Sequence, residues 1–85
     1  MHDQIKKLVV YARQECHLCE AMIIALQSLQ KNSQFQLEII DIDLDPSLAE
    51  LYNERVPVLF APEENKELCH YHLDLSLVSH HLSRN

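Results

Sequence analysis

Glycine is entirely absent from the 85-residue chain, and so is tryptophan. Without glycine there is no glycine-rich phosphate-binding loop, and turns and helix ends must be formed by Asn, Asp, Pro and Ser. Positive charge is also scarce, since seven Lys and Arg residues stand against thirteen Asp and Glu, for a formal charge of -6. This balance has the wrong sign for a surface that tracks phosphates, so we expect no nucleic-acid partner.

Long apolar runs are missing as well. No segment approaches the roughly 18 apolar residues of a spanning helix, and the first four residues, Met1 to Gln4, do not begin a signal peptide. We therefore expect a cytoplasmic protein with no membrane partner. Hydrophobic residues make up 47% of the chain, enough for one core in a chain too short for two ordinary domains. We expect one domain over residues 1–85, and a monomer.

Hydrophobic periodicity predicts seven elements in the order β-α-β-α-β-β-α. The predicted strands are residues 6–12, 35–42, 56–60 and 67–73, and the predicted helices are residues 17–31, 46–53 and a last helix after Asp74. The first helix is recognised by an apolar stripe: Leu18, Met22, Ala25, Leu26 and Leu29. Strand-helix-strand suggests a parallel crossover, and the two closely spaced later strands suggest an antiparallel hairpin. The expected fold is α/β, with a four-stranded mixed sheet flanked by three helices.

Two helix starts carry local capping signals. Asp45 is followed by Pro46, which is typical of an N-cap residue and the first helical position. Asp74 is expected to cap the last helix, whose core-facing residues are predicted to be Leu75, Val78 and Leu82.

The run Cys16-His17-Leu18-Cys19 lies between the first strand and the first helix. Unpaired N–H groups and the partial positive charge of a helix N-terminus stabilise a thiolate, the nucleophile of disulfide exchange. We therefore expect Cys16 to attack and Cys19, one turn into the helix, to resolve the mixed disulfide. His17, if protonated, and Arg13 would favour the thiolate further, whereas acidic neighbours oppose it.

Metal binding and inert burial are the alternatives for the cysteines. Two buried, unreactive cysteines would also satisfy the pattern, and Cys69 with His70 and His72 could in principle complete a zinc site. No recognised ligand spacing links them. We expect instead that Cys69 and Tyr71 face the core while the two histidines face the other side of the strand. The adjacent pair His80-His81 is expected on the solvent face of the last helix.

The Cys-x-x-Cys run after strand one, Val56-Pro57 opening strand three and the element order together resemble the thioredoxin fold. The compact length and the segment Arg55-Val56-Pro57-Val58-Leu59 are similar to the glutaredoxin-like family of small bacterial proteins. The resemblance covers nearly the whole chain. The chain differs from true glutaredoxins in the residues between the cysteines, and it lacks the glycine pair that precedes their last helix.

This resemblance implies that Pro57 is cis and faces the disulfide, and that the backbone of Val56 pairs with a bound substrate strand. Arg13 matches a basic glutathione-contacting position, and Asp74 could stand near the acidic position at the final helix. The candidate substrate-binding residues are thus Val56, Pro57, Arg13, His17 and Asp74.

The leading hypothesis is a thiol-disulfide oxidoreductase or electron carrier with Cys16 and Cys19 as its catalytic residues. Its expected substrates are protein or low-molecular-weight disulfides. The protein itself is expected to be reduced by glutathione or by a thioredoxin-reductase-type enzyme, and to hold no bound cofactor or metal. A non-enzymatic binding or redox-sensing module and a small zinc protein are the other candidates.

Overall fold

A computed structural model describes residues 5–83 and contains, within them, the predicted order of strands and helices. The strands are β1 (Lys7–Ala12), β2 (Gln36–Asp41), β3 (Val58–Ala61) and β4 (Lys66–His70). The helices are α1 (His17–Leu29), α2 (Pro46–Tyr52) and α3 (Leu75–Ser83). A short 3-10 helix at Ile42–Leu44 joins β2 to α2.

The four strands form one mixed sheet in the order β2-β1-β3-β4. β1 and β2 are parallel, whereas β3 is antiparallel to both of its neighbours. The predicted thioredoxin-like α/β fold, with a mixed sheet and three helices, is confirmed. Because β3 runs against β1, the end of β1 and the start of β3 meet at one edge of the sheet. That edge is where the chain leaves β1 toward α1.

Alternation along the central strand β1 divides the buried residues between two clusters. Leu8 and Val10 pack with residues of α1 and α3, including Leu26 and Val78. Tyr11 packs on the other cluster, whose buried members are Ile42, Tyr52 and Val58. A helix pair thus covers one face of the sheet, and α2 covers the other.

The helix starts follow the predicted capping chemistry. Asp45 accepts a hydrogen bond from the Ser47 N–H at 2.9 Å, with Pro46 opening α2. Asp74 accepts one from the Leu77 N–H at 3.1 Å and so caps α3. Both caps depend only on residues within one turn, which is why the local sequence predicts them. Within residues 5–83, no helix is long and apolar enough to cross a membrane.

The predicted fourth strand, residues 67–73, is wrong at its end, because β4 stops at His70. Leu59 pairs with Cys69 and Phe60 with Glu67, so Leu68 is the extra residue of a bulge. Leu68 and Cys69 therefore both pack toward the α1 and α3 face, which simple alternation cannot produce.

Other predicted boundaries shift by one or two residues. β3 begins at Val58 rather than at Val56, and α1 ends at Leu29 rather than at residue 31. β2 spans Gln36–Asp41, shorter at each end than the predicted residues 35–42.

Several predicted core positions are corrected by the packing. In α1, Leu18 is 40% exposed, and Cys19 takes the buried place in its stead. In α3, Leu75 is 55% exposed, whereas His81, expected in solvent, is only 3% exposed. His81 lies three residues after Val78 and therefore on the same helix face, which is turned toward the sheet.

Candidate active site

Cys16 is the N-cap residue of α1, with an extended backbone conformation. Its Sγ accepts the backbone N–H of Cys19 at 3.2 Å, and its carbonyl accepts the N–H of Glu20 at 3.0 Å. The two cysteines form a disulfide, with their Cα atoms 5.2 Å apart. The predicted redox pair is thus a disulfide at the start of the helix, with an N–H group directed at the outer sulfur.

The two sulfurs differ in exposure. Cys19 is 1% exposed and belongs to the buried cluster beneath α1, whereas Cys16 is only partly buried. His17 and Leu18, the residues between them, are both exposed. An incoming sulfur can therefore reach Cys16 more readily than Cys19.

Glu15, directly before Cys16, has a left-handed backbone with φ of 55°. This region is unfavourable for residues that carry a Cβ, and glycine would normally occupy it. In a chain without glycine, the turn that places Cys16 at the helix start is made by a glutamate. Left-handed non-glycine residues of this kind cluster at functional sites.

The Val56-Pro57 peptide bond is cis, as the resemblance implied. Pro57 is fully buried, and Val56 is partly buried and packs against the same cluster as Cys16. The pairing of Tyr11 with Val58 places Val56 and Pro57 at the edge where β1 ends and the chain turns toward the disulfide. The segment predicted to receive a substrate strand therefore lies at the same edge as Cys16.

Arg13 lies at this edge but is engaged by its own chain. Its Nε and one terminal nitrogen donate to the two carboxylate oxygens of Asp43, at 3.1 and 2.8 Å. Its other terminal nitrogen donates to the backbone and side-chain oxygens of Asn53, at 3.1 and 3.0 Å. The hydrogen bond from Arg13 lowers the pKa of Asp43 below its usual value. Arg13 thus ties β1 to the 3-10 turn and to the end of α2.

Asp74 and Cys69 lie together at the junction of β4 and α3. Burial raises the pKa of the Cys69 thiol, and a hydrogen bond from the Asp74 backbone partly opposes this effect. The Asp74 side chain accepts the hydrogen bond that caps α3. Within residues 5–83, no group of three or more His, Cys, Asp or Glu residues is arranged to hold a metal ion.

Tyr71 was predicted to face the core, but it is 40% exposed and contacts the segment before Pro57 instead. Its hydroxyl donates to the Glu54 carbonyl at 2.6 Å, and its N–H donates to the Pro57 carbonyl at 2.9 Å. Its left-handed φ of 65° turns it out of the strand alternation. No signal in the sequence indicates this, because a tyrosine after a strand is ordinarily read as a further strand residue.

Comparisons with known proteins place these features in a family. The sequence model of the Glutaredoxin-like domain (DUF836) matches residues 7–83. No curated protein matches the chain.

Solved structures agree with this match. Protein Ne2328 from Nitrosomonas europaea, determined by solution NMR, is 56% identical with a TM-score of 0.83, over 98% of this chain and 100% of its own. The X-ray structure of protein XcR50 from X. campestris is 32% identical with a TM-score of 0.69, over 88% of this chain and 93% of its own. A malarial protein, 19% identical with a TM-score of 0.67 over 93% and 99% of the two chains, shares the fold. With its disulfide at the start of α1 and a family match over residues 7–83, the chain belongs to the glutaredoxin-like domain family.

Proposed function

We propose that this protein is a thiol-disulfide oxidoreductase or electron carrier, in which Cys16 is the nucleophile and Cys19 the resolving thiol. One observation carries the proposal: the Cys16–Cys19 disulfide lies at the N-terminus of α1, with Cys16 as the more exposed sulfur. The helix N-terminus favours an ionised sulfur, and the thiolate is the reactive form. Burial of Cys19 keeps it from competing for the substrate.

In the reducing direction, the Cys16 thiolate attacks one sulfur of a substrate disulfide. An S–S bond forms between Cys16 and the substrate, the substrate S–S bond breaks, and the first substrate sulfur leaves as a thiolate that takes a proton. The Cys19 thiolate then attacks the Cys16 sulfur, forms the Cys16–Cys19 disulfide and releases the second substrate sulfur. Two electrons pass from the protein to the substrate. The oxidising direction is the reverse of these two steps.

Substrate contact is proposed on the exposed side of the sheet edge where β1 ends and β3 begins. The Val56 backbone, preceding Pro57, would pair with an extended segment of a protein or low-molecular-weight disulfide. His17, exposed beside Cys16, would contact the same segment. Asp74 would contribute only if its carboxylate could leave the α3 cap that it now forms.

The reductant is proposed to be glutathione or a thioredoxin-reductase-type enzyme, either of which a monomer in the cytoplasm would encounter. The two electrons reside on the two sulfurs, so the reaction requires no bound cofactor. Glutathione binding through Arg13 faces competition, because a glutathione carboxylate would have to displace Asp43 or Asn53 from the guanidinium. This favours protein disulfides over glutathione mixed disulfides as substrates.

A redox titration tests the proposal. The protein is equilibrated in glutathione buffers of graded potential, its thiols are alkylated, and the modified cysteines are identified by mass spectrometry. As the buffers become more oxidising, we expect Cys16 and Cys19 to lose their alkylation together. Cys69 should still be alkylated when the protein is unfolded. A folded protein in which this pair never forms a disulfide would contradict the proposal.

Single-turnover reduction of a peptide disulfide separates the roles of the cysteines. Cys16→Ser should abolish release of peptide thiols, and Cys19→Ser should trap a mixed disulfide on Cys16. The matched control Cys69→Ser should react like the wild type. Equal activity of the wild type and Cys16→Ser would instead favour a non-enzymatic binding module.

A further inference from the structure

Tyr71 has a backbone conformation that its burial does not explain. It follows the last residue of β4 and has a φ of 65°, in the left-handed region where a tyrosine is a strained outlier. Its side chain is 40% exposed, so the ring is not held there by packing in the core. Strain of this kind persists only where surrounding contacts impose it.

The contacts of Tyr71 converge on one short segment, residues 54–57, which we call the docking loop. The Tyr71 hydroxyl donates to the Glu54 carbonyl at 2.6 Å, at the start of the loop. The Tyr71 backbone N–H donates to the Pro57 carbonyl at 2.9 Å, at its end. A single residue therefore holds both ends of the loop.

The docking loop lies outside the sheet ladder. β3 begins only at Val58, so the sheet itself does not fix the loop. Arg55, the second residue of the loop, is ion-paired with Glu67 of β4. Glu67 also contacts the His70 ring at 2.7 Å, and that ring packs edge-on against Tyr71 with ring centroids 4.6 Å apart. β4 and the residue after it thus support the loop from one side.

We propose that Tyr71 is a positioning residue that orients the docking loop so that the Val56 backbone faces an incoming substrate segment. The proposal rests on the function proposed above. The hydrogen bonds of Tyr71 go to Glu54 and Pro57, and it acts through these two residues. The left-handed backbone aims the N–H at Pro57, as a glycine could also do, whereas only the tyrosine ring reaches back to Glu54.

Removing only the hydroxyl tests the proposal. Tyr71→Phe keeps the ring and loses the bond to Glu54, so the KM for a peptide disulfide should rise roughly 3- to 10-fold, the range expected for one lost hydrogen bond. The kcat for the peptide, the rate with 2-hydroxyethyl disulfide and the Cys16–Cys19 reduction potential should stay unchanged. The small disulfide provides no extended segment for the loop to bind. Tyr11→Phe, which removes a hydroxyl from the central strand, is the matched control and should leave the peptide KM unchanged.

A second variant separates positioning from turn formation. If Tyr71 served only the turn, Tyr71→Gly would match the wild type, because glycine accepts a left-handed φ without strain. We expect instead that it raises the peptide KM at least as much as Tyr71→Phe. An unchanged peptide KM in Tyr71→Phe, equal losses with both disulfides, or a shifted potential would each overturn the proposal.

Turnover of the small disulfide by the wild type reports the proposed function separately. If that turnover is absent, amide hydrogen exchange in the docking loop still decides on Tyr71. Tyr71→Phe should then accelerate exchange at the Arg55 amide, which donates to the Tyr52 carbonyl at 2.9 Å, roughly 3- to 10-fold relative to Tyr11→Phe. Identical exchange in the two variants would overturn the positioning role.

Discussion

Leu26→Ala would test how α1, the helix that carries the disulfide, is held on the sheet. Leu26 is 0% exposed and lies among Leu8, Val10 and Met22 in the cluster between α1 and the sheet. Alanine at this position removes buried side-chain atoms and leaves a cavity that rigid strands can fill only in part.

The expected loss is large relative to the stability of such a domain. Burial of this kind makes Leu→Ala cost about 2–5 kcal/mol of unfolding free energy. A chain of 85 residues has a total of about 4–13 kcal/mol at the usual stability per residue. Each kcal/mol lowers the Tm of a domain this small by about 4–8 °C, so the Tm should fall by about 8 °C or more.

Urea denaturation followed by circular dichroism measures the loss, and Ile24→Ala is the matched control. Ile24 lies in the same helix but is 65% exposed, so its replacement should change the unfolding free energy by no more than about 0.5 kcal/mol. In Leu26→Ala the reduction potential of the Cys16–Cys19 pair should stay within about 10 mV of the wild-type value, because the oxidised and reduced forms lose the same packing. For comparison, a shift of 30 mV would correspond to a difference of about 1.4 kcal/mol between the two forms.

Equal destabilisation by Leu26→Ala and Ile24→Ala would refute the reasoning, because it would mean that the inward face of α1 contributes no more than the outward face. A potential shift of several tens of mV would show that packing under the helix favours one redox state.

Two further predictions concern titrating groups. Because burial raises the pKa of the Cys69 thiol, iodoacetamide at pH 7 should modify Cys16 in the reduced protein well before Cys69. Modification of Cys69 should accelerate as the pH rises. Mass spectrometry of timed samples measures the order, and earlier modification of Cys69 would contradict the prediction. The pKa of Asp43 is lowered by Arg13, so the stability from this exposed pair is present above the usual carboxyl pKa and is lost as pH falls through the lowered value. Asp43→Asn should remove this acid dependence of the unfolding free energy measured in urea titrations. By releasing Arg13, it should also lower the KM for a glutathione mixed disulfide. The control Asp45→Asn, which keeps a capping side chain, should cause neither change.

The disulfide site was accessible to sequence reasoning because its determinants are local. A buried strand, a four-residue cysteine run and a helical stripe follow one another directly, so Cys16 was expected at a helix start, and it is the N-cap residue. The caps at Asp45 and Asp74 were predicted for the same reason. The cis Val56-Pro57 bond came only from the family resemblance, since the dipeptide alone carries a low prior for cis.

The contacts of Arg13 are not predicted by its neighbours in the sequence. Its match to a glutathione-contacting position came from the family resemblance, but its partners Asp43 and Asn53 are 30 and 40 residues away. Whether a cation is available to a ligand depends on which acids the fold brings beside it. That requires tertiary structure.

By itself, the sequence determined the order of strands and helices, the helix start at Cys16 and the pairing of Cys16 with Cys19, because periodicity and capping act over a few residues. Only the tertiary structure decided the bulge at Leu68 and the burial of His81. It also decided the outward turn of Tyr71 toward Glu54 and Pro57. Each of these depends on contacts between strands, helices and loops distant in the chain, and a left-handed tyrosine is stable only when such contacts hold it.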